Sequence, residues 1–388
     1  MHSNTHFIIE LVIVMVTAKS LGFVSKRLGF PRLLGEIIGG IIIGSSVLGL
    51  VSQTEFISNL AEIGVILIMF LAGLETDLEE LKKSAKKSSL IAIGGIVIPF
   101  IMGFGLIYVL RTALDIREAI FLGVIMTATS MGITVSTLKD LKELKSEFGM
   151  SILGAAVIDD IVGVIILAIA LGSFGQATTS VETLILQILL FLVSIIVIGK
   201  LISATILKNR KFFEKVKPKH ILSVSLITVF MFSVFASDFG MAAIIGAYSI
   251  GTIISTTTLK EKVINQVDQF GVALFIPVFF VNIGLMLDVD VISKYFGITL
   301  LVAFTGITSK LIGSYIGARV SGFDNRQSFR VGISMAPRAE VTLIISNLAL
   351  KLGFIGEDIF AGVILLVLVS TVFTPWVLRK TKSEKSEK

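Results

Sequence analysis

Two adjacent aspartates interrupt an apolar stretch of the chain. Asp159 and Asp160 lie in the segment Gly154-Ala-Ala-Val-Ile-Asp-Asp-Ile-Val-Gly163, which carries no other charge. A charged Asp at the centre of a membrane-spanning helix costs roughly 2.5–3.5 kcal/mol even on the lenient insertion scale. Because successive helical residues diverge by about 100°, the two carboxylates cannot face one identical partner. The pair predicts a site where a proton and a metal cation compete, the alternative being a doublet neutralised by two permanent salt bridges.

Two polar segments elsewhere in the chain each lie near the middle of an apolar run, and therefore at similar expected depth in a membrane. Met126–Thr134 contains Thr129 and Ser130, and Ser334–Thr342 contains Arg338 and Glu340 together with a proline. Interrupted spans at corresponding positions of two halves indicate a binding site near the membrane midplane, because opened helix ends bring partial charges and free carbonyls there. A single hydroxyl would more simply bond back to the preceding helical turn, but two matched groups of them favour interruption.

Four charged positions lie in or near the apolar runs, and the basic ones among them are candidate partners of the aspartates. Lys310 lies in Thr308–Gly317, too deep in an apolar run for comfortable contact with water. Arg338 and Glu340 can neutralise each other or their neighbours. Glu75 ends the run Phe70-Leu-Ala-Gly-Leu-Glu, where it is either a cavity group or an exposed interfacial carboxylate.

The elements that position these residues are membrane spans. Of the 388 residues, 54% are hydrophobic and only 16% are charged, and the mean hydropathy is +0.95, which is typical of a polytopic membrane protein.

The absence of Cys excludes disulfides, thiolate metal sites and a cysteine nucleophile. The first run follows a neutral start without a cleavage site, which predicts a retained span. Thirteen apolar runs are long enough for helices: 7–24, 33–51, 58–75, 89–110, 118–138, 149–172, 182–207, 221–237, 239–256, 270–287, 296–318, 331–350 and 359–378.

Basic residues orient these spans. Lys and Arg concentrate in alternate loops and in the tail 379–388, and they are sparse in the loops between. This asymmetry predicts an N-terminus outside the cell and a short basic C-terminal tail in the cytoplasm. The net charge of +6 is therefore loop charge that orients a protein in a lipid bilayer, and no nucleic acid is expected as a partner.

A weak internal sequence repeat appears when the chain is aligned with itself at an offset of 207 residues. Ile37-Ile38-Gly39 falls on Ile244-Ile245-Gly246, and Gly64-Val65 falls on Gly271-Val272. The shift equals seven spans, an odd number, so the two copies cross the membrane in opposite directions. This predicts a single transporter domain over 1–388, made of two inverted six-helix repeats (about 1–172 and 218–378) and a linking helix (about 182–207). The alternative is that small residues simply let helices pack closely.

Taken together, these features resemble the sodium/proton exchanger superfamily, and within it the NapA-like monovalent cation:proton antiporters of the cation:proton antiporter-2 branch. The resemblance covers the whole chain and is carried by the thirteen runs, Asp159-Asp160, Lys310 and the Pro337–Glu340 segment. It implies an all-α NhaA/NapA-like fold with two crossed discontinuous helices, a core domain and a dimerisation domain. It also implies a homodimer in the cytoplasmic membrane and alternating access of the elevator type.

The same resemblance implies roles for individual residues. Asp160 would be the main carrier of cation and proton, and Asp159 would pair with Lys310 in the ion-free state. Thr129 and Ser130 would lie near the ion, while Arg338 and Glu340 would support the second broken helix. The aspartate pair implies electrogenic exchange of H⁺ for Na⁺, Li⁺ or K⁺, with no cofactor beyond the transported ions. No G-x-G-x-x-G run is present, so no cytosolic nucleotide-binding domain is expected.

Other functions remain as alternatives. A related fold could carry out sodium-coupled uptake of an organic anion, with Lys310 or Arg338 as the substrate anchor. An intramembrane aspartyl protease needs aspartates on different helices that share a water, and adjacent residues on one helix have the wrong geometry. Buried titratable groups and inverted repeats favour coupled exchange over a channel. A secondary transporter, not an enzyme, is therefore expected.

Overall fold

The first half of the chain and its link to the second half are helical. The computed structural model describes residues 6–28, 30, 32–111, 115–175, 180–208, 216, 218–286 and 294–381. The helices up to the link are α1 (His6–Arg27), α2 (Arg32–Ile43), α3 (Glu55–Glu75), α4 (Leu78–Leu110), α5 (Ile116–Thr127), α6 (Met131–Asp140), α7 (Glu147–Ser173) and α8 (Val181–Lys208).

The second half of the chain is also helical. Its helices are α9 (Pro218–Asp238), α10 (Ala243–Ser255), α11 (Lys260–Phe270), α12 (Ile276–Leu285), α13 (Phe296–Val320), α14 (Asn325–Ser334), α15 (Glu340–Lys351) and α16 (Glu357–Lys380). A π-helical turn, Gly271–Phe275, joins α11 to α12. No strand occurs among the residues described, as expected for a chain that must satisfy its backbone within each segment in lipid.

Helix lengths match a membrane protein. Ten helical stretches of the described residues are long and apolar enough to cross a bilayer, and Ala243–Ser255 and Val341–Lys351 are shorter apolar helices. The prediction of an all-helical polytopic membrane protein is therefore confirmed. Helix lengths alone do not test the predicted count of thirteen spans or their arrangement in two inverted repeats.

Polar caps set where several helices begin. Thr54, Asp115, Ser146 and Asp324 each accept a backbone N–H from the first turn of α3, α5, α7 and α14. Asp77 accepts the N–H groups of Glu79 and Glu80 at the start of α4, which lowers the pKa of its carboxyl.

One predicted run is longer than the helix it forms. The run 33–51 was expected to be helical throughout, but α2 ends at Ile43. The following residues fold back onto the helix end, where the N–H groups of Leu48 and Leu50 bond to the carbonyls of Ile42 and Ile43. Gly49 has a φ of +60° in this turn, a conformation that glycine adopts without strain.

Two spans are broken at their centres. The break between α5 and α6 comprises 128–130, and the break between α14 and α15 comprises 335–339. Both lie within the polar segments that were predicted to be interrupted. Pro337 and the non-helical φ and ψ of Ala339 (−157° and −120°) account for the second break.

Glycines bring the surrounding helices into backbone contact. A Cβ on Gly40 would lie 2.1 Å from the carbonyl oxygen of Val281, and one on Gly73 would lie 2.3 Å from that of Tyr248. A Cβ on Gly94 would lie 2.2 Å from the carbonyl oxygen of Gly313. These contacts join α2 to α12, α3 to α10 and α4 to α13. Such close packing is what stabilises helix pairs in lipid, where apolar burial alone offers little.

Candidate functional site

The two helix breaks contact each other directly. The Ser130 N–H donates to the carbonyl oxygen of Pro337 at 2.8 Å, and Thr134 Oγ1 donates to that of Ser334 at 2.8 Å. Interrupting a helix leaves N–H and C=O groups without intrahelical partners. Because lipid cannot supply partners, the two breaks satisfy part of each other's backbone.

Two buried cations lie at the C-terminal end of α5. Arg338 Nη2 donates to the carbonyl oxygen of Met126 at 2.6 Å, and Lys310 Nζ donates to that of Thr127 at 2.8 Å. The C-terminus of a helix carries partial negative charge on its free carbonyls, so cations there are stabilised. Both side chains are 0% exposed.

Arg338 also ties the second break to α16. Its backbone N–H donates to Ser370 Oγ at 3.1 Å, and its carbonyl oxygen accepts from Thr371 Oγ1 at 3.0 Å. The residue therefore connects α5, the second break and α16. The supporting role that the resemblance implies for Arg338 stays a prediction.

Asp159 joins the first break to α13. Its Oδ2 accepts hydrogen bonds from Thr129 Oγ1 at 2.6 Å and from Lys310 Nζ, with which it forms a short ion pair. Asp159 is 3% exposed. The structure thus brings together three of the residues singled out in the sequence: Asp159, Thr129 and Lys310.

Lys310 makes a third contact that sequence reasoning missed. Its Nζ donates to the carbonyl oxygen of Gly95 in α4 at 2.6 Å. The ammonium therefore has three acceptors, one carboxylate and two backbone carbonyls, which equals its number of N–H donors.

Oxygen atoms suited to a monovalent cation lie in the same helices. Asp160, next to Asp159 on α7, is 7% exposed. Asp159 Oδ1, Ser334 Oγ and Thr342 Oγ1 are buried without a hydrogen-bond partner among the described residues. Hard oxygen donors of this type are the ligands that alkali cations prefer. Ser334 and Thr342 lie at the two ends of the second polar segment, but their sequence context did not single them out.

Two predicted site residues are not part of this group as described. Glu340 begins α15, and its side chain lies outside the described residues. Glu75 forms an ion pair with Lys139 Nζ at 3.2 Å, and the same ammonium lies 2.7 Å from Asp268 Oδ1. The contact joins the end of α6 to α3 and α11.

A cavity of about 880 Å³ opens on the side of the basic loops. Its lining includes Lys26, Lys139 and Arg379, and it reaches Val135 and Ser136 on α6. These two α6 residues lie about one helical turn from the break where α6 begins. The cavity therefore extends from the basic face of the protein toward the first broken helix.

Among the described residues, the site has no preformed cluster of metal-ligating side chains. In the part of the chain that the structure describes, no group of three or more His, Cys, Asp or Glu side chains converges in a way that could hold a metal ion.

Comparisons with known proteins agree on one family. A family model described as "Sodium/hydrogen exchanger, transmembrane" matches residues 12–380. The chain is 38% identical over 383 residues to the Na⁺/H⁺-K⁺ antiporter GerN of Bacillus cereus, covering 98% of this chain and 97% of the relative. It is 35% identical over 377 residues to an Na⁺/H⁺ antiporter of Enterococcus hirae, covering 96% and 97%.

A solved structure shares the fold. The sodium proton antiporter MjNhaP1 of Methanocaldococcus jannaschii aligns with a TM-score of 0.76 at 15% identity, over 100% of this chain and 99% of that one. At this identity the likeness concerns the fold alone.

Proposed function

Because the chain belongs to the sodium/hydrogen exchanger family, we propose that it is a secondary antiporter that exchanges H⁺ for Na⁺ at Asp160 and Asp159. It is a membrane transporter, not an enzyme. Li⁺ and K⁺ are further candidate cargo ions, and the name of the relative GerN includes K⁺. The observation that carries the proposal is the buried Lys310–Asp159 pair at the point where two broken helices meet.

In this mechanism the ammonium of Lys310 and the metal cation compete for Asp159. In the ion-free protein Lys310 neutralises Asp159, and Asp160 takes a proton or the cation. When the cation binds between the aspartates, Asp159 releases Lys310. Thr129, Ser130 and the oxygen atoms of Ser334 and Thr342 complete the cation's coordination. Asp160 releases one proton when the cation binds, and the electrogenic exchange that the family resemblance implies would require a second proton, from Lys310.

We further propose thirteen spans in two inverted repeats. Three segments add to the ten long helices: α2, α10 and the broken α14–α15. The shift of 207 residues supports the repeat, because it moves the break at 128–130 onto 335–337 and the end of α7 at Ser173 onto the end of α16 at Lys380. The two crossed discontinuous helices are then α5–α6 and α14–α15, with α8 as the linking helix.

The helices divide by function in this proposal. The core domain (α4–α7 and α13–α16) carries the ion, and the dimerisation domain (α1–α3 and α8–α12) stays fixed in a homodimer. The assignment to core and dimer rests on the family resemblance. The Lys139 contact to Glu75 and Asp268 supports a boundary between moving parts, because it is an ion pair between α6 of the core and α3 and α11 of the dimerisation domain. Vertical movement of the core past this boundary would be the elevator step.

Uptake of an organic anion with sodium is less well supported. Lys310 and Arg338, the two candidate anchors, donate to backbone carbonyls and to Asp159. An anion would have to displace these contacts within a buried site. The proposed antiport mechanism does not require an anion to bind Lys310 or Arg338.

Exchange in proteoliposomes tests the proposal. The purified chain is reconstituted with a pH-sensitive dye inside and an imposed pH gradient, and then Na⁺, Li⁺, K⁺ and choline are added in turn. We expect Na⁺ to collapse the gradient and choline to leave it unchanged, since choline is too large for a site of carboxylate and hydroxyl oxygens. No response to any metal cation from inserted, folded protein would refute antiport.

The proposed orientation predicts which surfaces a label reaches. The chain has no cysteine, so single substitutions report cleanly. Ser136 lines the cavity. The variant Ser136→Cys is expected to react with an impermeant maleimide in inside-out vesicles of the cell membrane. Ser52→Cys, in the exposed loop before α3, is expected to react only in right-side-out vesicles. The reverse pattern would place the N-terminus in the cytoplasm and contradict the proposal.

A further inference from the structure

A proline in α4 explains why a helix-interior carbonyl is available to Lys310. In an uninterrupted α-helix the carbonyl oxygen of Gly95 would accept the N–H of the residue four positions later. That residue is Pro99, which lies within α4 and has no N–H. The carbonyl oxygen of Gly95 instead accepts a hydrogen bond from Lys310 Nζ at 2.6 Å.

The second backbone acceptor of Lys310 is freed in a different way. Thr127 is the last residue of α5, and the chain is not helical at 128–130. Its carbonyl therefore lacks the intrahelical N–H that a continuing helix would supply. One interruption by proline and one by a helix break thus expose two carbonyls to the same ammonium.

Gly95 also provides the space for this contact. A Cβ at this position would lie 3.3 Å from both Cε and Nζ of Lys310 and 2.7 Å from Ser314 Oγ. A side chain here would press on the end of Lys310. Gly95 and Pro99 together therefore shape α4 around the lysine.

We infer that Pro99 and Gly95 are positioning residues for transport, which hold the ammonium of Lys310 in a cradle formed by the carbonyl oxygens of Gly95 and Thr127. The inference rests on the proposed exchange at Asp159. When the cation takes Asp159, Lys310 loses its carboxylate partner and stays buried. The cradle leaves it two acceptors, so the release costs less and the lysine remains in place to return to Asp159 after the cation leaves.

The cradle predicts a specific effect of restoring the missing N–H. In Pro99→Ala the new N–H of residue 99 competes with Lys310 for the carbonyl of Gly95. The ammonium then has only the Thr127 carbonyl after it leaves Asp159. The Gly95 carbonyl already accepts from Lys310 before release, so KM rises only because this bond is worth more to an ammonium that has lost its carboxylate. We expect the apparent KM for Na⁺ to rise about 2- to 10-fold, at most the value of one ordinary net hydrogen bond, with a much smaller change in kcat.

A matched variant separates this effect from general loosening of a helix. Pro375 also lies inside a helix, α16, and its replacement by alanine likewise supplies a missing N–H. The carbonyl that Pro375 frees belongs to Thr371, four residues earlier, and not to the cradle. We expect Pro375→Ala to leave the KM for Na⁺ unchanged. An unchanged KM in Pro99→Ala, or equal rises in both variants, would overturn the inference.

A stability measurement tests the cradle without any transport. Thermal unfolding in detergent is compared for Pro99→Ala in the native background and in the Asp159→Asn/Lys310→Met background, where no ammonium competes. Removing a proline from a helix interior favours the helix, so Tm should rise more in the second background. Pro375→Ala should raise Tm equally in both. Equal effects of Pro99→Ala in the two backgrounds would show that the Gly95–Lys310 contact carries no energy, whether or not the chain exchanges Na⁺ for H⁺.

Discussion

Exchange of Na⁺ for H⁺ is expected to fall to the level of protein-free liposomes when Asp160 is replaced by asparagine. Asparagine neither takes up a proton at physiological pH nor offers a negative charge to the cation, so both halves of the exchange lose their carrier. The expected loss is in transport and not in folding. An uncharged side chain removes an insertion cost of roughly 2.5–3.5 kcal/mol from the middle of α7, and α7 is otherwise unchanged.

The control is a carboxylate that is also buried but lies away from the broken helices. Glu10 in α1 is 4% exposed and contacts His6. Glu10→Gln should keep exchange close to that of the native protein in the same proteoliposome assay. Native-like elution on size exclusion would establish that Asp160→Asn is folded. Unimpaired exchange by a folded Asp160→Asn variant would refute the role of this carboxylate.

The second large effect concerns stability and comes from the Lys310–Asp159 pair. Breaking a buried ion pair by removing one partner typically costs about 3–5 kcal/mol, because the other charge stays buried without compensation. Lys310→Met leaves the Asp159 carboxylate with Thr129 as its remaining hydrogen-bond donor among the described contacts. We therefore expect a large fall in the thermal stability of this variant in detergent.

The two single variants are expected to differ. In Asp159→Asn the ammonium keeps the carbonyls of Gly95 and Thr127, so this variant should be less destabilised than Lys310→Met. The double variant Asp159→Asn/Lys310→Met has no unpaired charge and should recover most of the loss. The measurement is a double-mutant cycle on thermal unfolding. Strictly additive losses would contradict a direct energetic coupling between the two residues.

Charge and helix-breaking residues made much of the site predictable. Asp159 and Lys310 were recognisable because a charge in an apolar run is costly and needs a partner. The breaks were recognisable because hydroxyls, Pro337 and two charges cluster at matched depths. In the structure Asp159 accepts hydrogen bonds from both Thr129 and Lys310.

Backbone acceptors were not predictable in the same way. The carbonyls of Gly95, Met126 and Thr127 bind Lys310 and Arg338, yet every residue has a carbonyl, so its sequence position carries no signal. Pro99 was the available clue, since a proline inside a 33-residue helix frees one carbonyl. The helix that would use that carbonyl is 215 residues away in sequence, and only the packing of α4 against α13 identifies it.

Glu75 is a second case in which the sequence does not predict the partner of a charged residue. Its position at the end of an apolar run was compatible with a cavity or an interface, and its partner Lys139 lies at the end of α6. Nothing local in sequence links the two residues. Their contact, shared with Asp268, depends on how α3, α6 and α11 come together.

The amino-acid sequence by itself determined that this protein is a helical membrane protein with charges buried in its spans. Hydropathy, loop charge and the position of helix breakers are local quantities that act before any tertiary contact forms. Only the tertiary structure decided which acceptors surround each buried charge, because Lys310 and Arg338 obtain theirs from helices that are distant in the chain. In lipid, where no water can take their place, those acceptors stabilise charges that would otherwise be isolated.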